Sequence, residues 1–549
     1  MQTSRRALMR TGLVTGAAAV LAAPRRDTRA TAAATLPVTN PFTLGVASGD
    51  PLPDGVVLWT RLAVNPLADN GLGGMSSSTY PVRYQVATDE RFTDIVRLGT
   101  VAAEPANAHS VHVEVSGLLP GRVYFYRFKL GPYSSRTGRT RTAPALTSLP
   151  GSLAMSFVSC AHYEFGWFTA YRRLAEDQPD LILHLGDYQY EYRANTVPGA
   201  TPRNHRGPET VTLANYRQRL AQYHADPDLQ AAHAVAPWVV VFDDHEVDDN
   251  WADEIPQDTA SVPGFVNRRA AAFKAYYENM PLRRASIPNG PDMQIYRRLQ
   301  WGRLANFHML DTRQFRSDQA CNDGLKACPA ADNPARTMTG SAQEQWLANG
   351  FASSRATWDL IGQQAFFSRR DTTSTSDNTV WMDAWDGYPA SRSRVTTAWR
   401  NAQVRNPIVL TGDVHAHWAS DIYADFSTPG SPVVGSEFVC SSITAGGDGY
   451  DEPTGRHPWA AYNPNLRFWT NLRGYVNTRI TPGSFRVDYR CVPKVSVKNA
   501  AAFTRATYVV DDGVRGMRRT FDNPSPAGTT VTSRTDGQKI RDTLTAESH

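Results

Sequence analysis

Four stretches of this chain run apolar and then stop abruptly at polar residues. Leu181–Leu185 is apolar apart from His184, ends at Gly186, and hands on to Asp187 and, three residues later, Tyr190. Leu153–Ser159 ends in Cys160, and Trp238–Phe242 ends in Asp243-Asp244-His245-Glu246. Pro407–Thr411 ends in Gly412-Asp413, followed by His415 and His417. Short, nearly continuous apolar runs read as strands buried on both faces, the pattern of a parallel sheet. In open α/β folds, ligands sit at the carboxyl ends of such strands. The pattern therefore predicts one rim where a thiol, a phenol, imidazole and several carboxylates converge.

Between these runs the period changes. Trp167–Asp177 places Phe168, Tyr171 and Leu174 on one helical face, and Thr210–His224 and Arg268–Glu278 are helical by the same spacing. Asp180 leads from the first helix back into the next strand, a β-α-β unit whose parallel strands end at Cys160 and Asp187. Leu304–Leu310 (running into Asp311 and Arg313), Trp358–Gly362 and Glu437–Ser441 read as further strands. Ahead of this region the pattern alternates at period two, in Gly55–Leu62, Pro81–Thr88, Ser110–Val115 and Val123–Leu130. Turn residues at sandwich-like intervals separate those strands, and Leu118–Tyr124 resembles the approach to a tyrosine corner in fibronectin type III domains. Residues 40–148 are expected to form such a β-sandwich, with the Ser/Thr/Arg/Pro-rich stretch 134–150 as linker.

Charge alters this picture only at the first residues. Residues 1–34 carry six arginines and one aspartate, which accounts for the whole formal excess of +5. No nucleic-acid surface is expected from the remainder. Ser4-Arg5-Arg6-Ala7-Leu8-Met9-Arg10 resembles a twin-arginine export motif, and the apolar stretch Leu13–Ala23 is too short to span a bilayer, which needs roughly 20 apolar residues. The expectation is an exported, secreted protein that meets the twin-arginine translocase, keeps no membrane anchor and works as a monomer. Of its five cysteines, Cys321 and Cys328 can close a small ring and Cys440 and Cys491 can pair. That leaves Cys160 free at a strand end.

The donor types sort into two groups. Thiolate (Cys160), phenolate (Tyr190) and imidazole (His415) together favour a strongly Lewis-acidic ion such as Fe³⁺. Asp244, Asp413 and a shared Asp187 offer only oxygen, which suits Ca²⁺, Mg²⁺ or Mn²⁺. Two ions bridged by a carboxylate form the common device for phosphoester displacement. Arg313 is a candidate phosphate anchor, with an ion pair to Asp311 as the plainer alternative. Glu246 reads as a cap on a following helix. His417, His162 and His184 read as packed or supporting groups, and the Gly446–Gly449 loop as a rim. Trp381, Trp385 and Tyr388 could either touch a lipid interface or sit in the core.

Taken in order, Ser159-Cys160, Gly186-Asp187 with Tyr190, Asp243–Glu246, Leu310–Arg313 and Gly412–His415 resemble the alkaline phosphatase D family, a branch of the calcineurin-like metallophosphoesterases. The wider superfamily reads GNHE and GHxH where this chain has Asp243–Glu246 and Gly412–His415, so carboxylate replaces amide and imidazole donors. The resemblance implies an α/β fold: a four-layer metallophosphoesterase sandwich over 150–515, preceded by the fibronectin-III-like domain and followed by a polar tail, 516–549. It implies Fe³⁺ on Cys160, Asp187, Tyr190 and His415, and Ca²⁺ (or another divalent ion such as Mn²⁺) on Asp187, Asp244, Asp413 and Asn250. His245 would protonate the leaving group. The implied activity is alkaline phosphomonoesterase, with phosphodiesters also hydrolysed, by metal-activated hydroxide attack on phosphorus. Phospholipase D action on phospholipid head groups is the alternative, and a non-catalytic metal-stabilised binding module the third reading.

Overall fold

Three of the four apolar runs become the middle of a ten-stranded sheet. From edge to edge its strands are Arg518–Asp522, Phe503–Asp511, Ser484–Val492, Arg473–Ile480, Leu153–Val158, Leu181–Leu185, Pro237–Val241, Val46–Leu52, Gly55–Arg61 and Ser110–Val115. The computed structural model describes residues 35–196, 201–257, 264–375 and 377–524. The expected export signal, 1–34, lies outside them.

Register brings the strand ends together. Leu183 pairs in parallel with Phe157 on one side and Val239 on the other, so the residues after all three strands emerge at one level. A second sheet carries, in order, Arg297–Trp301, Ala305–Met309, Trp358–Gln363, Pro407–Thr411, Val433–Val439, His417–Tyr423 and Leu466–Thr470. Period-two alternation assigns its faces. Ile408 and Leu410 share one apolar core with Leu183, Phe157 and Val239 of the first sheet, whereas Val409 packs with Leu347, Phe351, Val395 and Trp399. Those last four belong to the helices Gly340–Ser353 and Pro389–Asn401. Helices Thr169–Glu176, Leu213–His224 and Phe265–Asn279 feed Tyr171, Leu174, Leu220 and Phe273 into the core of the first sheet. Each such fully buried side chain contributes roughly 1.5–3 kcal/mol. The helix expected from Thr210 starts at Leu213 because Thr212 and Asn215 close a capping box there.

The two sheets are stitched where the site will form. Ser159 bridges Ser442 in parallel, and Ile443 N–H donates to Ser159 O at 3.0 Å. Among the described residues no helix is long and apolar enough to cross a membrane.

Three expectations need correction. Residues 40–148 do not close as a separate sandwich: Val46–Leu52, Gly55–Arg61 and Ser110–Val115 extend the long sheet, and Val46–Leu52 pairs in parallel with Pro237–Val241. The reason is visible in Gly55–Arg61, every residue of which is buried, so both faces of the strand are covered. The strands Tyr80–Ala87, Ile95–Ala103, Val123–Leu130, Tyr133–Ser134 and Gly138–Arg141 form their own antiparallel sheet. The polar tail begins later than 516, since Arg518–Asp522 pairs with Phe503–Asp511 as an exposed edge strand. Cys321 and Cys328 form the expected disulfide, but Cys440 and Cys491 are free and buried, one just past a strand of the second sheet and the other within the first. Trp385 and Tyr388 are fully buried core residues, so they offer no lipid-facing surface.

The tyrosine corner is present: Tyr124 Oη accepts from Leu119 N–H at 2.9 Å. Tyr124→Phe should cost about 1 kcal/mol in urea unfolding while leaving bound metal and turnover unchanged.

Candidate metal centre

Five residues of the rim are held by an unusual backbone. Cys160 (φ 61°), Asp187 (56°), Asn250 (45°), Asp413 (64°) and His415 (47°) are all non-glycine residues in the left-handed region. Such conformations cost roughly 1–3 kcal/mol each and persist only where the surroundings over-determine them. The surroundings here do so. Cys160 N–H donates to Gly186 O at 3.2 Å, and Ala161 N–H to Asp187 O at 2.9 Å. Glu246 accepts from three backbone N–H groups, those of Asp187 (3.1 Å), Tyr188 (2.6 Å) and Asp243 (2.9 Å). It is thus the anchor of the Asp187 turn rather than a helix cap. Arg473 braces His415 by donating to its carbonyl, and donates to Gly447 O at 2.8 Å, which ties the glycine loop to the rim.

The side chains form two groups that share one member. Ligand atoms of Cys160, Asp187 and His415 lie within 4.8 Å of one another, and so do those of Asp187, Asp244 and His245. Tyr190 stands between Asp187 and His415: its hydroxyl donates to Asp187 Oδ2 at 3.0 Å and lies 3.1 Å from His415 Nε2. Asp413 stands outside both groups. Asn250 reaches Asp244 through its backbone N–H (2.9 Å to Oδ2), while its side-chain amide donates to Asp323 Oδ2 at 3.0 Å. Asp413 faces a cavity that Asn250 and Asp383 also line.

Electrostatics explain what this arrangement is missing. Burial, then the charge of Asp244, raises the Asp187 carboxyl far above its ordinary range. Burial also opposes ionisation of Asp244, but Arg313 and His245 outweigh it and hold that carboxyl low. Burial, then Asp187, raises the Cys160 thiol, and the same two causes raise the Tyr190 phenol. Four acidic groups thus compete for too little positive charge. Oδ1 of Asp187 and Oδ1 of Asp244 are buried with no hydrogen-bond partner, and orphaned buried carboxylate oxygens call for a counter-ion. The donor set therefore fits cations: a soft thiolate with imidazole and phenol on one side of Asp187, harder donors on the other.

His245 is oriented by a carboxylate that sequence reasoning missed. Its Nδ1 lies 2.9 Å from Glu191 Oε2, and Glu191 Oε1 accepts from Asp249 N–H at 3.1 Å. Burial works against the imidazolium, but Glu191, Asp244 and Asp187 together raise its pKa well above the usual value.

The structure commits the Arg313 guanidinium to carboxylates, the partner class of the plainer reading, though to other acids than Asp311. Its fully buried guanidinium donates to Asp243 Oδ1 (2.6 Å) and, as a fork, to both oxygens of Asp383 (3.0 and 2.9 Å), with Asp244 at 3.7 Å. Asp311 accepts from its backbone N–H at 2.9 Å instead. Asp383 follows the strand Val380–Trp381, which at two residues is too short to show as an apolar run in the sequence. His417 Nδ1 accepts from Ser441 N–H at 3.0 Å, and burial pushes its pKa down to about 3. His184 lies 3.0 Å from Tyr171 Oη, and His162 packs on the Tyr190 ring at 4.5 Å, so all three are supporting groups.

Comparison with known proteins agrees with this geometry. The family model for PhoD-like phosphatase matches residues 154–489, and that for the PhoD-like phosphatase N-terminal domain matches 28–144. Alkaline phosphatase D of Bacillus subtilis (strain 168) is 50% identical over 484 residues, spanning 87% of this chain and 82% of that protein. A solved structure of PhoD superposes with a TM-score of 0.88 at 47% identity, covering 93% of this chain and 98% of that one.

The shared carboxylate makes metal loading separable by mutation. Asp187→Ala should lose metal from both groups, Cys160→Ala only from its own side, and Asp244→Ala only from the other. Elemental analysis of the folded variants checks this, and an unchanged metal content in Asp187→Ala would sink the assignment.

Proposed function

This chain belongs to the PhoD-like phosphatase family, and we propose that it is a phosphoesterase hydrolysing phosphomonoesters and, with the same groups, phosphodiesters. The observation that carries this reading is the pair of donor groups joined through Asp187, the arrangement of two-cation phosphoester centres. Cys160, Tyr190, His415 and Asp187 would hold Fe³⁺; Asp187 and Asp244, with His245 beside them and Asp413 and Asn250 facing the adjoining cavity, would hold Ca²⁺. Bound there, the cations supply Lewis acidity to the phosphoryl group and to the attacking water.

The remaining work falls to the chain's own residues. Glu246 and the left-handed turn fix Asp187 in place. Arg313 spreads its charge over Asp243, Asp244 and Asp383, which keeps Asp244 ionised. Glu191 holds His245 at Nδ1, which leaves Nε2 as the nitrogen that gives a proton to the departing alkoxide. Phospholipid cleavage is less well supported, because Trp385 and Tyr388 lie in the core. Export through the twin-arginine translocase to the cell exterior rests on the Arg5-Arg6 motif and the short apolar stretch after it.

With native metals retained, the protein should turn over p-nitrophenyl phosphate and act poorly on phosphatidylcholine vesicles; preference for the vesicles reverses the order of the two readings. Binding without turnover of either would favour the non-catalytic module. His245→Asn should lower kcat by about 10²–10⁴, more for esters of poorly acidic alcohols than for p-nitrophenyl phosphate. Equal loss on both esters would remove His245 as the proton donor. Replacing Arg5 and Arg6 by lysine should leave the protein inside the cell, followed by fractionation; undiminished secretion excludes that route.

A further inference from the structure

Asn250 can offer an amide oxygen to the oxygen-donor side of the centre, and its backbone is fixed from two directions. Its N–H donates to Asp244 Oδ2 at 2.9 Å, and its carbonyl accepts from Gln319 Nε2 at 2.7 Å. Neither bond says which arm of the side-chain amide is turned to the cavity that Asn250 lines with Asp413 and Asp383. Asp323 decides that, because Asn250 Nδ2 donates to Asp323 Oδ2 at 3.0 Å. An ionised carboxylate only accepts, so it selects the nitrogen arm and leaves Oδ1 as the arm for a cation. Ca²⁺ takes amide oxygens among its ligands. A ligand already oriented by an outer hydrogen bond binds more tightly, since less side-chain freedom is lost on binding.

Asp323 stands in the loop that the Cys321–Cys328 disulfide closes. Four successive residues there, Cys321 (φ 56°), Asn322 (57°), Asp323 (53°) and Gly324 (81°), are left-handed. Three of them carry a Cβ and do not hold that conformation unaided. Two braces act beside the disulfide. Lys326 Nζ bonds the carbonyls of Cys321 (2.5 Å) and Asn322 (3.0 Å). The strand Leu325–Lys326 pairs with Val380–Trp381, and Met382 N–H donates to Gly324 O at 3.1 Å. This pairing leads on to Asp383, whose Oδ1 accepts from Gln319 Nε2 at 2.7 Å. The Gln319 amide thereby joins Asn250 to Asp383, and the loop, the amides and the carboxylates make one frame.

We propose that Asp323 is a positioning residue for the divalent ion, presenting Asn250 Oδ1 to it, and that the disulfide-closed loop is the brace that keeps Asp323 in place. This rests on the two-cation reading above and deepens it, by adding to the centre a loop residue 73 positions further along the chain.

The test reads Ca²⁺ affinity by calorimetry on the full-length chain after a chelator has removed its divalent ion. Asp323→Ala should raise the dissociation constant about ten- to a hundredfold, with the metal content of the Cys160 side unchanged. Asp323→Asn keeps an acceptor for the Asn250 amide and should raise the constant severalfold at most. Asp323 Oδ1 is buried without a hydrogen-bond partner, so direct ligation is the competing role, and an Asn250→Ala background separates the two. There Asp323→Ala should add no further loss, since the side chain it orients is gone. A full further loss would make Asp323 a ligand and overturn the positioning role. Cys321→Ser combined with Cys328→Ser should weaken Ca²⁺ binding severalfold, and not at all once Asp323→Ala is present. An unchanged constant in folded Asp323→Ala overturns the proposal, as do losses from Asp323→Ala and loop opening that add independently. Wild-type protein that takes up neither Ca²⁺ nor Mn²⁺ would instead sink the broader two-cation reading, and this inference would fall with it.

Discussion

One carboxylate has to serve two neighbours at once. Asp187 belongs to both donor groups, is buried, and sits in a left-handed backbone turn at the end of a central strand. A buried carboxylate facing another, Asp244, cannot ionise fully on the protein's own charge. The site is stable as drawn only when positive charge is brought to it. This single electrostatic debt explains why a thiol, a phenol and an imidazole are placed on one side and further acids on the other.

The fold serves that carboxylate. Parallel register levels the ends of three strands of the first sheet, and the Ser159–Ser442 bridge brings the second sheet, with Asp413 and His415, against them. Glu246 binds three backbone N–H groups around the turn, so the strain of Asp187 is borne by hydrogen bonds from Asp243 and Tyr188 as well as its own. Arg313 does the complementary work on the acids, spending its whole fork on Asp243 and Asp383. The centre is therefore framed by charges committed to one another.

The N-terminal β region is part of the same construction. Its strands Val46–Leu52, Gly55–Arg61 and Ser110–Val115 complete the long sheet, and Trp59 Nε1 donates to Glu278 O at 2.9 Å while Arg61 Nη1 meets Asn279 Oδ1 at 3.1 Å. It is thereby fastened to the helix Phe265–Asn279, behind the strand that delivers Asp244.

The sequence by itself determined the strands, because their apolar runs stop at residues that core packing would never choose. Leu153–Val158, Leu181–Leu185 and Pro407–Thr411 lie within a residue of where the pattern puts them, and Cys160, Asp187, Tyr190, Asp244, His245 and His415 do meet. The Cys321–Cys328 pairing was legible from spacing. What sits on loops was not: Asp383 and Glu191 carry no periodic signal, and which carboxylate an arginine finds depends on chain segments some 70 residues apart, as with Arg313 and Asp243. Nor does local pattern say which sheet a strand joins, since Gly55–Arg61 reads the same whether it closes a sandwich or extends its neighbour. Hydrophobic periodicity is a property of neighbouring residues, whereas pairing of charges and strands is decided by what tertiary packing brings alongside.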